Sequence, residues 1–396
     1  MTPVPWDQAR AAAYRAGAEA ARPATETPLA EADGLTLAAP LVTLTELPAF
    51  ATSSIDGWAV RGPAPWRVVG RVLAGETAVP LPDDGTCVEI ATGAMVPPGT
   101  EHVLRVEESR LDGGLVTGQP RPNPEWRVPG EEASRGEELL PVGTPVTPGV
   151  IGLAASCGHD ALSARPAPRA AVLVFGDELL TSGPPGAGRV RDALGPQVPA
   201  WLRRLGAAVD GSVGPVKDTL DAHVDAIRTA FDSGVDLLCT TGGTMHGPVD
   251  HLHPALAELG ASYVVNTVAV RPGFPMLLAA LPGGKFLAGL PGNPQSAIVA
   301  LMSLVVPLLA GLQGRPSPVT PSVTLGEPIP GRGSYTHLAL VRMDGGLAYP
   351  VSHVGSSMLR GLARSAGFAV VAPDTDGEKG ATLPLVPLPM LDGERP

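Results

Sequence analysis

The chain has 396 residues, of which 44% are hydrophobic and 17% charged, and its net charge is −11. That is enough apolar chain for two or three domains with real cores, and it excludes a disordered polypeptide. Glycine and proline together make nearly a quarter of the residues without a triplet period, which excludes collagen and predicts many short elements joined by turns.

The N-terminus carries charges throughout and has no apolar stretch of the signal-peptide kind. Residues 5–21 read as a short Ala-rich helix ending before Pro23. From 23 to 165 short apolar runs, such as Trp66–Val72, Cys87–Ala91 and His102–Val106, alternate with Gly and Pro turns, which predicts strands and loops. From Arg169 the texture changes. Ala170–Phe175 reads as a buried strand and Pro196–Leu205 as a helix closed by Gly206. Ala207–Val213 is a strand, and Thr219–Phe231 a helix with Asp218 as candidate N-cap. Val235–Thr240, Pro254–Leu259 and Tyr263–Val270 continue as strand, helix and strand. A hairpin follows over Met276–Leu281 and Phe286–Leu290, and a long helix over Pro294–Leu312 closes the region. Alternating strands and helices predict a doubly wound, mostly parallel sheet. After Pro316 the runs at Val323–Leu325, His337–Val341 and Ala369–Val371 read as a small β domain.

The apolar run Ala297–Leu312 is broken by Ser303 and Pro307 and is too short to span a bilayer, so it reads as a core helix. Three cysteines, Cys87, Cys157 and Cys239, lack metal-type spacing and fit a reducing compartment. A cytoplasmic protein is the expectation. No basic run marks a nucleic-acid partner, and an anionic ligand would need a local nest of amides or a few arginines.

Several motifs sit where strands end. Leu237–Thr244 runs a buried strand into hydroxyls and two glycines, a place where backbone amides approach a phosphate. Read alone, it is as readily an ordinary strand-to-helix turn. Asp177, Glu178, Asp218 and Asp250 gather on the same rim, and clustered carboxylates with phosphates nearby suit Mg²⁺. Arg271-Pro272-Gly273 and Pro291–Ser296 share that rim; Arg271 and Ser296 are placed to meet an oxyanion. In the β-rich part, Asp56-Gly57, Thr92-Gly93 and Gly130-Glu131-Glu132 read as turns, the first as a type I′ pair. Asp250-His251-Leu252-His253 mimics a metal cluster, but residues two apart share no helix face, so these read as surface histidines.

Taken together, these residues resemble the molybdopterin molybdenumtransferases (MoeA and the gephyrin E domain). The resemblance runs from about residue 45 to 372. It rests on Ser-Ser-Ile-Asp-Gly-Trp-Ala at 53–59, Ile-Ala-Thr-Gly-Ala-Met-Val-Pro at 90–97, Gly-Glu-Glu at 130–132 and Gly-Asp-Glu-Leu at 176–179. Thr-Thr-Gly-Gly-Thr at 240–244, Arg-Pro-Gly at 271–273, Gly-Leu-Pro-Gly-Asn-Pro-Gln-Ser at 289–296 and Gly-Ser-Ser-Met at 355–358 complete it.

The resemblance implies a MogA-like, molybdopterin-binding α/β domain over 1–22 and 166–314. It adds a linking domain over 23–47 and 131–165, a β-rich domain over 48–130 and a C-terminal β-barrel-like domain over 315–396. It implies a homodimer in which the β-rich domain of one subunit completes the cleft of the other, and a molybdopterin adenylyltransferase as a possible partner. The implied reaction is Mg²⁺-dependent insertion of molybdate into adenylylated molybdopterin, with release of AMP. The implied roles are Asp56, Thr92, Glu132 and Glu178 in catalysis, and Thr241, Gly242, Gly243, Arg271, Pro291, Gly292, Ser296 and Ser356 in substrate binding. Asp218 and Asp250 are the implied metal ligands. The chain departs from the family pattern at Phe175, Ala193-Leu194 and His337, at Arg271 and Phe274, where lysines are usual, and at Glu132, where an Asp is usual. Phe274 and Ala193-Leu194 keep open a non-catalytic paralogue that binds molybdopterin as a dimeric scaffold, and the Thr-Thr-Gly-Gly-Thr turn, which resembles that of the smaller adenylyltransferase domains, keeps open an enzyme that adenylylates molybdopterin.

Overall fold

The computed structural model describes residues 2–245 and 250–389. It divides into two units: Met1–Thr25, Gly34–Ala38 and Arg165–Pro396 form one, and Glu26–Asp33 with Ala39–Ala164 the other.

The larger unit holds a six-stranded sheet. Its strands are β1 (Arg169–Phe175), β2 (Ala208–Val216), β3 (Leu237–Thr241), β4 (Ser262–Asn266), β5 (Leu277–Leu281) and β6 (Lys285–Leu290), in the spatial order β2-β1-β3-β6-β5-β4. The first four in that order are parallel; β5 runs antiparallel to both β6 and β4. The sheet is therefore mixed, with the expected hairpin at its β5–β6 turn. Side chains alternate across it. Ala170, Val172 and Val174 of β1 enter one core, together with Trp6, Ala9 and Ala13 of helix α1 (Trp6–Glu19) and the final helical stretch Pro294–Leu312. Leu173 and Phe175 enter the opposite core with Val224, Ile227 and Phe231. A sheet covered on both faces explains the nearly continuous apolar runs in its strands.

Pro294–Leu312 is long and apolar enough to cross a membrane by length and composition, but it is 89% buried inside the protein, as a core helix. It widens into a π-helical segment at Leu301–Val305. The cause is local: Pro307 lacks an N–H and its ring collides with the carbonyl four residues back. Trp6 Nε1 donates to the Ser303 hydroxyl at 2.9 Å in this region.

Asp218 is not the N-cap of the helix Leu220–Asp232. Thr219 takes that place, its hydroxyl accepting from the Ala222 amide, and the Asp218 carboxylate turns elsewhere.

The same unit carries a closed five-stranded barrel. Thr336–Asp344 pairs with Leu347–Pro350, which leads through Ser322–Leu325 and Thr382–Pro387 to Gly367–Val371 and back to Thr336–Asp344. Closure removes the sheet edges. The short strand Val270–Arg271 joins alongside, with Arg271 opposite His337. The last residues expected in this C-terminal part, 390–396, lie outside the described residues.

The second unit is built on another six-stranded sheet, ordered His102–Arg105, Gly57–Arg61, Thr86–Ile90, Trp66–Val72, Leu115–Gly118, Ser109–Asp112. Asp56-Gly57 is not a type I′ turn. Gly57 opens a buried strand, and a Cβ there would lie 2.0 Å from the Leu104 carbonyl oxygen. Glycine is required by that close approach and not by a left-handed backbone.

Candidate functional site

Two cavities open side by side in the larger unit and share Pro275, Pro291 and Asn293. The first, of about 610 Å³, lies at the carboxyl ends of β1 and β3, where an open α/β sheet places its ligands. Glu178, Thr241, Gly242, Gly243, Asp250, Pro291 and Gly292 are on its wall. Gly242 and Gly243 both adopt left-handed backbone (φ 87° and 68°), which lets the chain turn sharply off the buried strand. The sequence reading expected amides along Thr241–Gly243 to be available to a phosphate. The structure corrects this for Gly242, whose N–H donates to the Leu290 carbonyl at 2.9 Å.

The carboxylates of the rim divide. Glu178 and Asp250 reach the cavity wall, but Asp177 lines a smaller neighbouring cavity of about 330 Å³ with Arg189. Asp218 is on neither wall. Its Oδ2 accepts from the Asp177 amide at 3.2 Å, and its Oδ1 stands 3.6 Å from His223 Nε2. His223 is fully buried and stacked on Phe175 with ring centroids 3.8 Å apart. Burial, the larger influence, lowers its pKa and keeps the ring neutral, against the pull of Asp218. The side chain of His251 meets the His223 ring edge-on at 5.8 Å, and His253 Nδ1 is 2.6 Å from the Tyr263 hydroxyl.

The second cavity, of about 680 Å³, is cationic and aromatic. Arg271, Ser296 and Ser356 line it, joined by Phe274, Arg332, Tyr335 and His337. The Arg271 guanidinium lies 4.5 Å from the Tyr335 ring centroid and 5.2 Å from that of Phe274, and the two rings meet edge to face at 5.9 Å. Phe274 thus holds an arginine in place by a cation–π contact. His337 Nδ1 donates to the Pro330 carbonyl at 2.8 Å, and burial holds its pKa below 6.5. The Gln295 and Ser296 amides, in the first turn of the closing helix, both donate to the Ser356 carbonyl, and Gln295 Oε1 accepts from the Gly355 amide. The 355–357 loop is therefore pinned to that helix end. Ser356 faces the second cavity and Ser357 the first.

Asp56, Thr92 and Glu132 belong to the other unit. Asp56 and Thr92, 36 residues apart, meet there: Asp56 Oδ1 accepts from the Thr92 amide at 2.6 Å and from its hydroxyl at 2.9 Å. Those two bonds, the amide first, pull the Asp56 pKa below 3.8. Glu132 is exposed.

Sequence reasoning did not assign Arg332, Tyr335 or Gln295 to the site. An Arg-Gly-Ser-Tyr run before a strand is a weak signal, and only the pairing of Val270–Arg271 with Thr336–Asp344 brings it to the Arg271 side.

Glu178, Asp250, Thr241 and Thr244 line the first cavity, and among the described residues no group of three His, Cys, Asp or Glu could hold a metal ion. Two carboxylates with hydroxyls beside them on one wall are a donor set of the kind Mg²⁺ takes together with waters and substrate phosphates.

Three family models match. They are the MoeA N-terminal region (domain I and II) over residues 4–158, the probable molybdopterin binding domain over 171–311, and the MoeA C-terminal region (domain IV) over 322–388. The molybdopterin molybdenumtransferase of Bacillus subtilis is 31% identical over 366 residues, covering 85% of this chain and 83% of its own. That of Haemophilus influenzae is 33% identical over 298 residues, covering 72% of each. Two solved structures of molybdopterin biosynthesis MoeA proteins from Pyrococcus horikoshii share the fold. Their TM-scores are 0.78 and 0.76, at 22% and 19% identity, covering 98% and 97% of this chain and 100% and 99% of theirs. With relatives above 30% identity along most of its length and the same architecture throughout, the chain belongs to the MoeA family of molybdopterin molybdenumtransferases.

Proposed function

We propose that this chain is a molybdopterin molybdenumtransferase that inserts molybdate into adenylylated molybdopterin and releases AMP. The observation that carries this reading is the contiguity of the two cavities. An acid- and glycine-lined trough suited to a phosphorylated pterin abuts an arginine- and serine-lined pocket suited to a tetrahedral dianion. The reaction needs those two ligands side by side.

In this reading the Gly243 amide and the Thr241 and Thr244 hydroxyls receive phosphate oxygens. Asp250 on the wall and Asp218 at the neighbouring strand end are the carboxylates that would hold Mg²⁺. When bound, that ion neutralises charge on the phosphoryl oxygens. Glu178 orients the attacking water or accepts its proton. Arg271 offers a two-pronged donor to molybdate, with Ser296 and Ser356 hydroxyls beside it. Asp56 is held ionised by Thr92 and is suited to position water or ligand as a fixed carboxylate acceptor.

The proposal includes a cytoplasmic homodimer in which the Asp56–Thr92 segment and Glu132 of one subunit serve the cleft of the other. The division into four domains, with boundaries near residues 22, 47, 130, 165 and 314, is part of the same reading. Mixing an Asp56→Asn protein with a Glu178→Gln protein tests the shared cleft. Recovery of about a quarter of the parent activity on random mixing, or about half in purified mixed dimers with one intact cleft, supports it, and no recovery in confirmed mixed dimers contradicts it.

The test of the reaction itself is AMP release from adenylylated molybdopterin with Mg²⁺, with and without molybdate. Molybdate-dependent release supports the transferase. Ligand binding without turnover would favour the scaffold, and ATP-dependent adenylation indifferent to molybdate would favour the adenylyltransferase.

A further inference from the structure

Sharing no lining residue with either substrate cavity, a further hollow, cationic and of about 260 Å³, is lined by Arg342, Ser352, His353, Arg360 and Arg364, with Pro350 and Val351 beside them. No carboxylate is on its wall. In a chain of net charge −11 a convergence of three guanidiniums is a local reversal of sign. Like charges at one opening repel unless an anion joins them.

The hollow is held open by specific geometry. His353 adopts a left-handed backbone (φ 59°), uncommon outside glycine. Gly361 makes the close approach possible, because a Cβ there would sit 2.9 Å from the His353 carbonyl oxygen and 3.1 Å from that of Ser352. This packs the turn bearing Arg360 and Arg364 against the Ser352-His353 backbone.

The hydrogen bonds leave donors unused. Arg360 Nη1 is 3.1 Å from His353 Nε2. A guanidinium has no acceptor, so Nε2 must accept, and the ring proton sits on Nδ1. Nδ1 then donates to the Ser352 hydroxyl oxygen at 3.1 Å, which frees the hydroxyl hydrogen. Arg342 lies over the Tyr349 ring at 4.9 Å and is paired with Asp344 at 3.0 Å, an exposed pair of small net strength. Among the described residues neither Arg360 nor Arg364 has a carboxylate partner.

We propose that Arg342, Ser352, Arg360 and Arg364 form a second anion site, which takes a phosphate group as its ligand. The volume lies under the about 300–1,000 Å³ of sites that engulf whole organic ligands, so the site grips an oxyanion or a terminal phosphate and leaves the rest of any larger molecule outside. The site lies at one end of the segment whose Ser356 and Ser357 face the substrate cavities. Occupancy therefore bears on the loop that carries them.

The test is calorimetric titration of the full-length Arg271→Ala protein, which weakens the other cationic cavity, with inorganic phosphate at fixed ionic strength. The expected result includes a saturable site with Kd near 1 mM or tighter, separate from any uptake at the glycine turn of the first cavity. It is weakened tenfold or more by Arg360→Ala/Arg364→Ala, with an unchanged melting temperature. Arg360→Lys, which keeps the charge and loses the fork, falls between the two. Glycerol phosphate competing equally at the site identifies a terminal phosphate as the ligand. Its exclusion identifies the free ion; either outcome supports the site. Equal phosphate affinity in the folded double variant, or no saturable uptake by the parent, overturns it.

Discussion

The two adjoining cavities are lined by the same unit, yet they are built by opposite means. The first is centred on one sheet: β1 and β3 end together, and the residues past them supply carboxylates, hydroxyls and a turn of glycines. The second is assembled from elements far apart in sequence. Arg271 comes from a strand that leaves the α/β sheet for the barrel, Tyr335 and His337 from the barrel, and Ser356 from a loop docked on the closing helix. The first therefore depends on a fixed strand-end geometry. The second depends on side-chain packing between those elements, as Phe274 beside Arg271 illustrates.

That contrast can be broken most sharply at Glu178. Glu178→Gln keeps size and removes the base, so kcat for AMP release should fall about 10²- to 10⁴-fold with little change in molybdate KM. A variant that instead raised only KM would place Glu178 in binding. Arg271→Ala should do the reverse, raising molybdate KM about 10- to 100-fold through loss of charge-assisted bonds, while leaving pterin affinity near that of the parent. Equal loss of both affinities would merge the two cavities into one functional site.

The parts of this arrangement that are contiguous in sequence were the legible ones. A buried strand running into Thr-Thr-Gly-Gly, and acids just past the ends of other strands, could be read from order alone. The hairpin and closing helix could be read the same way. What could not be read was pairing over distance. The register that sets Arg271 opposite His337 joins residues 66 positions apart. Asp218 looked like a cap because it precedes a helix; Thr219 took the cap once the backbone fixed which side chain points back. Asp56-Gly57 looked like a turn because its composition says so, whereas the neighbouring Leu104 carbonyl decides why glycine is there.

Phe274→Leu sharpens the comparison at smaller scale. It removes one face of the aromatic box, so molybdate KM should rise about two- to fivefold with kcat held. Unchanged KM would mean that Tyr335 alone positions the guanidinium. The smallest effect concerns His337. Burial favours its neutral form and places its pKa below 6.5, so the ring adds no charge at pH 7. As pH falls through that value it gains a proton, and oxyanion binding tightens. Molybdate KM should be flat from pH 8 to about 6.5 and fall below it, and His337→Gln should abolish the fall. An unaltered profile in that variant would assign the titration to another group.

The most direct measurement is an anomalous difference map at the molybdenum absorption edge, from crystals soaked with molybdate, Mg²⁺ and AMP. The account predicts one molybdenum peak against Arg271, Ser296 and Ser356, and nucleotide phosphate density against Thr241–Gly243. Molybdenum seated among Glu178, Asp250 and the glycine turn, with the arginine pocket vacant, would contradict it.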